Sequence, residues 1–485
     1  MNYRMVVFVL GRIFLVEAAM LLLPMTCSAI YGEWYMLPAF LLPAVILLLL
    51  GLAASLRTPK NTTIYARDGL AIVALVWVLM SAFGALPFVI SGEIPAFADA
   101  FFEMVSGFTT TGSTILNDVE ALSHGALFWR SFSHWVGGMG VLVFAMAVLP
   151  MTDGRAMHLM RAEVPGPTCG KLSSKLSDSA KILYGIYFAM TALEVVFLCA
   201  GGMSLYDSLI HSFGTAGTGG FSNRALSIGA YQNPYFEWVI GIFMLLFGVN
   251  FNLYYFILMR HFREAFGSEE LRAYLGIVLF STVTIAANIL SMAGSVGEAV
   301  RTAFFQVSSI ITTTGYGTTD FNLWPTYSRI LLLLLMFVGG CAGSTAGGLK
   351  VSRVIIFFKA ARQDLNKMLH THAVTAIRFE GKPLDEKTLQ GVHNYFNVYM
   401  LLIMLSTVLV SFDGFDMITT FTAVITCLNN VGPGMEIVGP MGNFSQFSAP
   451  VKYLLSFDML AGRLELYPML ALFAPRLWRR RRTMR

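Results

Sequence analysis

The sequence predicts an all-α polytopic membrane protein. Four parallel units, each a span, a re-entrant loop and a second span, surround a pseudo-fourfold axis behind a leading two-helix hairpin. Three observations predict this. Of 485 residues, 56% are hydrophobic and 13% charged, against roughly 25% charged in an ordinary soluble domain. Apolar runs of about 20 residues, enough to cross a hydrocarbon core about 30 Å thick, recur from end to end. Between them a short stretch of threonine, asparagine and glycine returns at intervals of about 100 residues.

In chain order, the spans fall at about residues 5 to 27, 36 to 56, 69 to 91, 126 to 150, 181 to 201, 235 to 259, 272 to 293, 327 to 349 with a continuation to 365, 391 to 411, and 450 to 473. The first holds Arg12 and Glu17 and no small-residue cleavage site, which marks a retained span rather than a signal peptide. These spans divide the chain into an accessory hairpin (1–60), four repeats (61–155, 175–262, 270–368 and 388–478) and a basic tail (479–485). Alternate connections are basic: Arg57, Lys60 and Arg67; Arg155, Arg161, Lys171 and Lys175; Arg260, Arg263 and Arg272; then Lys350 through Lys387. Those sides are expected to be cytoplasmic, with both termini, in a bacterial inner membrane. The other connections carry Glu93, Asp99, Glu103, Asp118, Glu120, Asp207, Glu298, Asp320, Asp413, Asp416 and Glu436 and are expected to face outward. Cys27, Cys169, Cys199, Cys341 and Cys427 lack metal-ligand spacing and read as small apolar packers.

Each outward connection contains a unit of one plan: "IPAFADAFFEMVSGFTTTGSTIL", "MSLYDSLIHSFGTAGTGGFSN", "VGEAVRTAFFQVSSIITTTGYGTTDF" and "FDMITTFTAVITCLNNVGPG". About a dozen residues at helical spacing precede small or β-branched residues around Gly112, Gly219, Gly315 and Gly432. Two spans per unit leave the copies parallel, unlike the inverted repeats of many secondary transporters. Irregular backbone survives at membrane depth only where protein buries it or water reaches it, so the four loops are expected to meet on one axis. The short helices then point their carbonyl ends at the centre, where a cation is stabilised. Glycine permits backbone that a Cβ opposes, and the threonines hold their neighbours extended. Carbonyls from four such segments can replace the hydration shell of a monovalent cation. A single "TTTG" also fits an ordinary helix-capping glycine; four at matched places do not.

Two further features lie on the expected path. In "LLLLLMFVGGCAGSTAGGLKVSRVIIFFKAARQ", residues from Gly339 to Gly348 are all small, and Gly339, Gly340, Gly343, Gly347 and Gly348 collapse helix propensity just before Lys350. A close helix contact is the alternative to a broken span. Arg463 falls near the middle of the last expected span, where a charge is a functional-site signal; Glu465, Asp458 or the carbonyls of the broken span are its candidate partners. Glu103 and Glu298 are expected near the outer mouth, where carboxylates concentrate cations. Arg130 and Glu194 read as members of structural pairs or caps, and His124, His134 and His211 have no metal spacing.

The motifs "FFEMVSGFTTTGST", "GTAGTGGFSN", "TTTGYGTTDF", "NNVGPG", "GGCAGSTAGGLK" and "MLAGRLEL" resemble those of the Trk/Ktr/HKT superfamily of cation channels and transporters, and within it the bacterial TrkH/TrkG potassium-uptake subunits. The resemblance covers nearly the whole chain, and the leading hairpin favours the Trk branch. It implies a potassium-channel-like fold in which the backbone carbonyls of Thr110 and Thr111, Gly217 and Thr218, Thr313 and Thr314, and Asn430 and Val431 coordinate K⁺, the transported ion. It implies that the Gly-rich span and Arg463 form a gate, that the protein is a homodimer, and that a cytosolic TrkA-like nucleotide-binding regulator sits on the inner face. No organic cofactor is expected. The net charge of +5 suits lipid headgroups and an acidic regulator surface rather than nucleic acid. An ion-coupled K⁺ symporter needs a titratable acid on the path, and Glu194 is the one candidate. A membrane enzyme needs clustered catalytic side chains on facing spans, which the sequence does not offer.

Overall fold

A computed structural model describes residues 1–61, 64–140, 176–370 and 376–478. Apart from one small hairpin, their regular structure is helical. The leading hairpin is α1 (Tyr3–Met20) and α2 (Leu22–Ile30) returning through α3 (Leu37–Ser55), and α1 packs along α3. Gly11 and Gly51 let the two backbones approach, since a Cβ on Gly11 would lie 2.6 Å from the Ala54 methyl.

The repeats follow in order. Repeat 1 is α4 (Ala66–Ser91), α5 (Phe97–Phe108) and α6 (His124–Gly138); repeat 2 is α7 (Leu176–Ala200), α8 (Leu205–Gly217), α9 (Pro234–Phe247) and α10 (Phe251–Leu258). After the short linker helix α11 (Phe262–Phe266), repeat 3 is α12 (Glu269–Ile289), α13 (Val296–Ile311), α14 (Thr326–Val338) and α15 (Val351–Leu369). The hairpin β1 (Arg378–Phe379) and β2 (Lys382–Pro383) leads to repeat 4: α16 (Glu386–Val410), α17 (Met417–Asn429), α18 (Ala449–Arg463) and α19 (Tyr467–Leu472), before the terminal turn α20 (Pro475–Trp478). The short helices α5, α8, α13 and α17 are the re-entrant elements, each packed against its own repeat's first span. The protein is thus a polytopic helical membrane protein with a potassium-channel-like fourfold repeat.

The first spans are long and apolar, and residues such as Leu49, Leu279, Phe280, Val283, Met404 and Leu405 stay exposed on outer faces where lipid replaces water. Six helical segments among the described residues can cross a bilayer, or seven if the bent α9–α10 pair counts as one. Ten spans were expected; in repeats 2, 3 and 4 the second span is not one continuous helix. The 235–259 span bends by 91° between α9 and α10. The 327–349 span stops at Val338, and the 450–473 span stops at Arg463, where Glu465 and Leu466 take φ of 60° and 64°. In repeat 1, α6 ends at Gly138; residues 141–150 of the expected 126–150 span lie outside the described residues, as do Arg155, Arg161, Lys171, Lys175, Cys169 and the tail 479–485. Helix signals for the unexpected breaks exist: Asn250 caps α10 by accepting from the Asn252 amide at 2.9 Å, and Pro468 opens α19.

Candidate functional site, a carbonyl ring above a glycine-rich loop

Side-chain caps set where three of the short helices begin. Ser204 accepts from the Asp207 amide (3.0 Å), Ser295 from that of Glu298 (3.2 Å), and Asp416 from those of Ile418 and Thr419 (both 3.0 Å). Their other ends share one geometry. The amides of Thr111, Gly219, Thr314 and Val431 donate back to the carbonyls of Ser106, Gly214, Ser309 and Thr426, at 2.8 to 3.0 Å. The preceding amides, of Thr110, Thr218, Thr313 and Asn430, donate to Gly107, Thr215, Ile310 and Cys427. This double bond pattern is the Schellman close of a helix, whose left-handed residue is usually glycine. Here that residue is Thr110 (φ 57°), Thr218 (56°), Thr313 (57°) or Asn430 (55°). A β-branched residue in that region is an outlier costing about 1–2 kcal/mol. The strain recurs in three of the four loops.

Two residues on, Gly112, Gly220, Gly315 and Gly432 take φ of 82°, 74°, 86° and 97°. A Cβ on Gly112 would collide with the Gly219 carbonyl oxygen, one on Gly220 with that of Thr314, and one on Gly315 with that of Val431; one on Gly432 would lie 2.9 Å from that of Thr111. The contacts pass from repeat 1 to 2, 2 to 3, 3 to 4 and 4 to 1. The loops therefore close a ring whose carbonyls approach the neighbouring glycines, and a side chain at any of the four would spread it.

This geometry corrects one register. Spacing matched Gly219 to Gly112, whereas Gly220 occupies that place, Gly217 is the last residue of α8, and Gly219 stands where Thr111 stands. Adjacent glycines look alike in sequence, and the torsion angles separate them. Gly219 lacks a side chain for another reason, because a Cβ there would run into the His134 ring. His134, given no role by spacing, bonds the Gly107 carbonyl through Nδ1 (2.7 Å) and receives the Phe221 amide at Nε2 (3.2 Å), tying α5 to the second loop. His211 bridges the Asp207 carbonyl and Ser222, and His124 binds Glu33 of the leading hairpin.

Glu103 is not at an exposed mouth. It is fully buried, pairs with Arg130 (2.7 Å), and accepts from the Ile115 amide and the Thr114 hydroxyl, both at 2.9 Å. Arg130 also donates to the Ser222 carbonyl and stacks 3.9 Å from the Phe221 ring, so the pair braces the first two loops from behind. Glu298 is exposed at the start of α13, bonded to the Gly294 amide, and does not line the cavity over the ring. That cavity has a volume of about 230 Å³ and includes Gly112, Gly220, Gly315 and Gly432 in its floor. Glu194 is fully buried and makes no ion pair among the described residues, so the expected ion pair is not seen there.

Beneath the ring, residues 339–350 form an irregular loop between α14 and α15, bonded to repeats 2 and 4 and to the ring of its own repeat. The Gly347 amide donates to the Thr313 hydroxyl (2.6 Å) and the Gly348 amide to the Asn429 carbonyl (3.0 Å). The Cys341 amide donates to the Gly248 carbonyl (2.9 Å), and the Gly343 carbonyl accepts from Phe251 (3.0 Å), both at the α9–α10 bend. Gly339 is packed so closely on Gly347 and Gly348 that no Cβ fits. Lys350, buried and at φ 77°, turns its ammonium back onto the Ala346 carbonyl.

Arg463 is the last residue of α18 rather than the middle of a straight span, and its partners are carbonyls. Nη1 donates to Thr345 of the loop (2.7 Å), and Nη2 to Gly137 (2.6 Å) and Gly138 at the end of α6. The guanidinium thus joins repeats 4, 3 and 1 where helix C-terminal dipoles favour a cation. The two carboxylates offered as alternatives are engaged elsewhere: Glu465 pairs with Arg353 of α15, and Asp458 accepts from Ser406 (2.9 Å). Among the described residues no His, Cys, Asp and Glu cluster could hold a metal ion, and the four described cysteines are free.

A ring of four left-handed helix closures, lined by backbone carbonyls and set in a membrane shell, defines the class of pore-forming membrane proteins built on a fourfold repeat. Comparison with known proteins narrows the class. The family model for the cation transport protein TrkH matches residues 37–480. The chain is 39% identical over 421 residues to the Trk system potassium uptake protein TrkH of Escherichia coli K12, covering 85% of this chain and 86% of that protein. It is 33% identical to TrkG of the same strain, over 99% of both chains. The crystal structure of the potassium transporter TrkH from Vibrio parahaemolyticus superimposes with a TM-score of 0.89 at 31% identity, covering 99% of this chain and 100% of that one. The chain belongs to the TrkH family of cation transport proteins, the Trk potassium uptake transporters.

Proposed function

We propose that the protein takes up K⁺ through the carbonyl ring, with the 339–350 loop and Arg463 forming the barrier beneath it. The observation that carries this reading is the cyclic approach of each ring glycine to the next repeat's carbonyl. The proposed filter is built from Thr110, Thr111 and Gly112; Thr218, Gly219 and Gly220; Thr313, Thr314 and Gly315; and Asn430, Val431 and Gly432. Carbonyls in this arrangement replace a monovalent ion's water without fixed charge, so that binding does not prevent release. Among the described residues no carboxylate lines the cavity over the ring, which favours passive permeation over acid-coupled symport. The face from which the short helices enter is read as extracellular. The opposite face, carrying both termini and the β1–β2 hairpin, is read as cytoplasmic and as the seat of a nucleotide-binding regulator; the functional unit is read as a homodimer.

The test is growth of a K⁺-uptake-deficient bacterium at submillimolar K⁺, paired with current recordings from the purified chain in liposomes. Rescue with a current reversing at the K⁺ potential supports a channel; obligatory coupling to a Na⁺ or H⁺ gradient overturns it in favour of symport.

A further inference from the structure

Glu270 lies outside the 339–350 loop, yet it bonds both ends of it. It is the second residue of α12, 5% exposed. Its Oε1 alone accepts from the Ala342 amide at 2.8 Å and from the Ser352 amide at 2.9 Å. Ala342 lies near the start of the irregular segment and Ser352 in the first turn of α15, just past its end. One oxygen therefore staples together two backbone amides ten residues apart in sequence. The Ser352 amide has no partner within its own helix: α15 begins at Val351 after Lys350, which supplies no side-chain cap, and the first amides of a helix lack partners within it. A carboxylate from another helix supplies the cap and also meets the positive end of the α15 dipole.

The root of this carboxylate is tied to an exposed element. Glu380, at the tip of the β1–β2 hairpin with φ 50°, accepts from the Ser268 hydroxyl (2.8 Å) and from the Glu270 amide itself (3.0 Å). Lys359 of α15 pairs with Glu269 and donates to the Arg378 carbonyl (2.8 Å), closing the same corner. A continuous set of bonds thus runs from a solvent-exposed turn through the N-terminus of α12 to the loop beneath the ring.

We infer that Glu270 is the positioning residue that keeps the 339–350 loop closed, and that Glu380 is the exposed relay through which a force on the hairpin releases it. The inference rests on the reading of this loop as the barrier. Opening requires the loop ends to part, and the staple is the bond set that must break first.

The experiment compares K⁺ flux through the full chain in liposomes for wild type, Arg463→Ala, Glu270→Ala, Glu270→Gln and Glu380→Ala. Glu270→Ala loses two hydrogen bonds to a charged acceptor and is expected to raise basal flux by about tenfold or more. Glu270→Gln keeps an amide oxygen with two lone pairs and is expected to restore most of the closure. Combining Glu270→Ala with Arg463→Ala should add little to either alone, because both release one loop. Glu380→Ala should raise flux less and speed hydrogen exchange in the 342–352 backbone. If Arg463→Ala raises flux while Glu270→Ala does not, the staple is wrong and the barrier stands. If neither raises it, the barrier reading fails and takes the staple with it. Should Glu270→Ala not fold, exchange decides: unchanged protection of 342–352 in Glu380→Ala overturns the relay, and wild-type exchange as fast as in unstructured chain overturns the staple.

Discussion

The ring and the breaks beneath it are both fourfold features, but they are built in opposite ways. In the ring, three different sequences, TTTG in repeats 1 and 3, GTGG in repeat 2 and NNVG in repeat 4, reach the same torsion angles and the same bond pattern. In the breaks, four unlike geometries meet: a stop at Gly138, a 91° bend, the 339–350 loop, and the reversal at Glu465 and Leu466. The difference follows from which atoms act. Backbone carbonyls belong to every residue, so the ring tolerates side-chain change while position is kept. The lower layer depends on particular side chains, Arg463, Asn250 and Glu270, and has no reason to be symmetric.

Four experiments break or sharpen this contrast. The largest expected effect is in the lower layer. Arg463→Ala removes donors to Thr345, Gly137 and Gly138. At about 1.5–3 kcal/mol for each bond to a charged group, K⁺ current in patched liposomes is expected to rise more than tenfold; an unchanged open probability would remove the arginine from the barrier. Next, Gly220→Ala should weaken K⁺ over Na⁺ discrimination as much as Gly315→Ser, by about tenfold for each 1.4 kcal/mol of carbonyl displacement. A permeability ratio that survives Gly220→Ala would restore the register with Gly219 at the ring.

Asp416→Ala tests whether ring position depends on where a short helix starts, with an expected loss of about 1 kcal/mol in thermal unfolding. Hydrogen bonding from Thr419, and then from the Ile418 amide, holds the Asp416 carboxyl below its ordinary value of 3.8. Because its folded pKa is the lower one, the cap's contribution is complete above about pH 4 and fades as pH falls through the lowered value. A difference between wild type and variant that does not shrink as pH falls below 3.8 would exclude the charge. The smallest effect is expected from Thr218→Asn, which gives repeat 2 the residue type of repeat 4 at the left-handed position. Asn tolerates that backbone, so the melting temperature should shift by less than about 1 kcal/mol allows; a large loss would mean that the threonine hydroxyl, not its backbone, is what the loop requires.

Much of the site was legible because its signals are local. "TTTG" after a capped amphipathic run, the cluster of glycines from Gly339 to Gly348, and a lone Arg463 are each visible within a short window. Glu103 misled because an acid in an outward connection looks solvated, and only its burial against Arg130 shows a brace. The bend at Gly248 and the stop at Arg463 were hidden by hydropathy, which measures length and apolarity but not whether a helix continues. Their punctuation, Asn250 and Pro468, is weak when read alone.

The sequence by itself determined the solvent, the repeat and the chemistry available: apolar length sets the spans, recurrence sets the fourfold plan, and threonine, asparagine and glycine set backbone that cannot be helix. Only the tertiary structure decided which glycine faces which carbonyl, which carbonyls Arg463 reaches, and that Glu270 closes the loop. Those choices join residues tens to hundreds of positions apart. The bonds involved are backbone amides and carbonyls, which every residue carries, and no pattern of side chains records which of them meet.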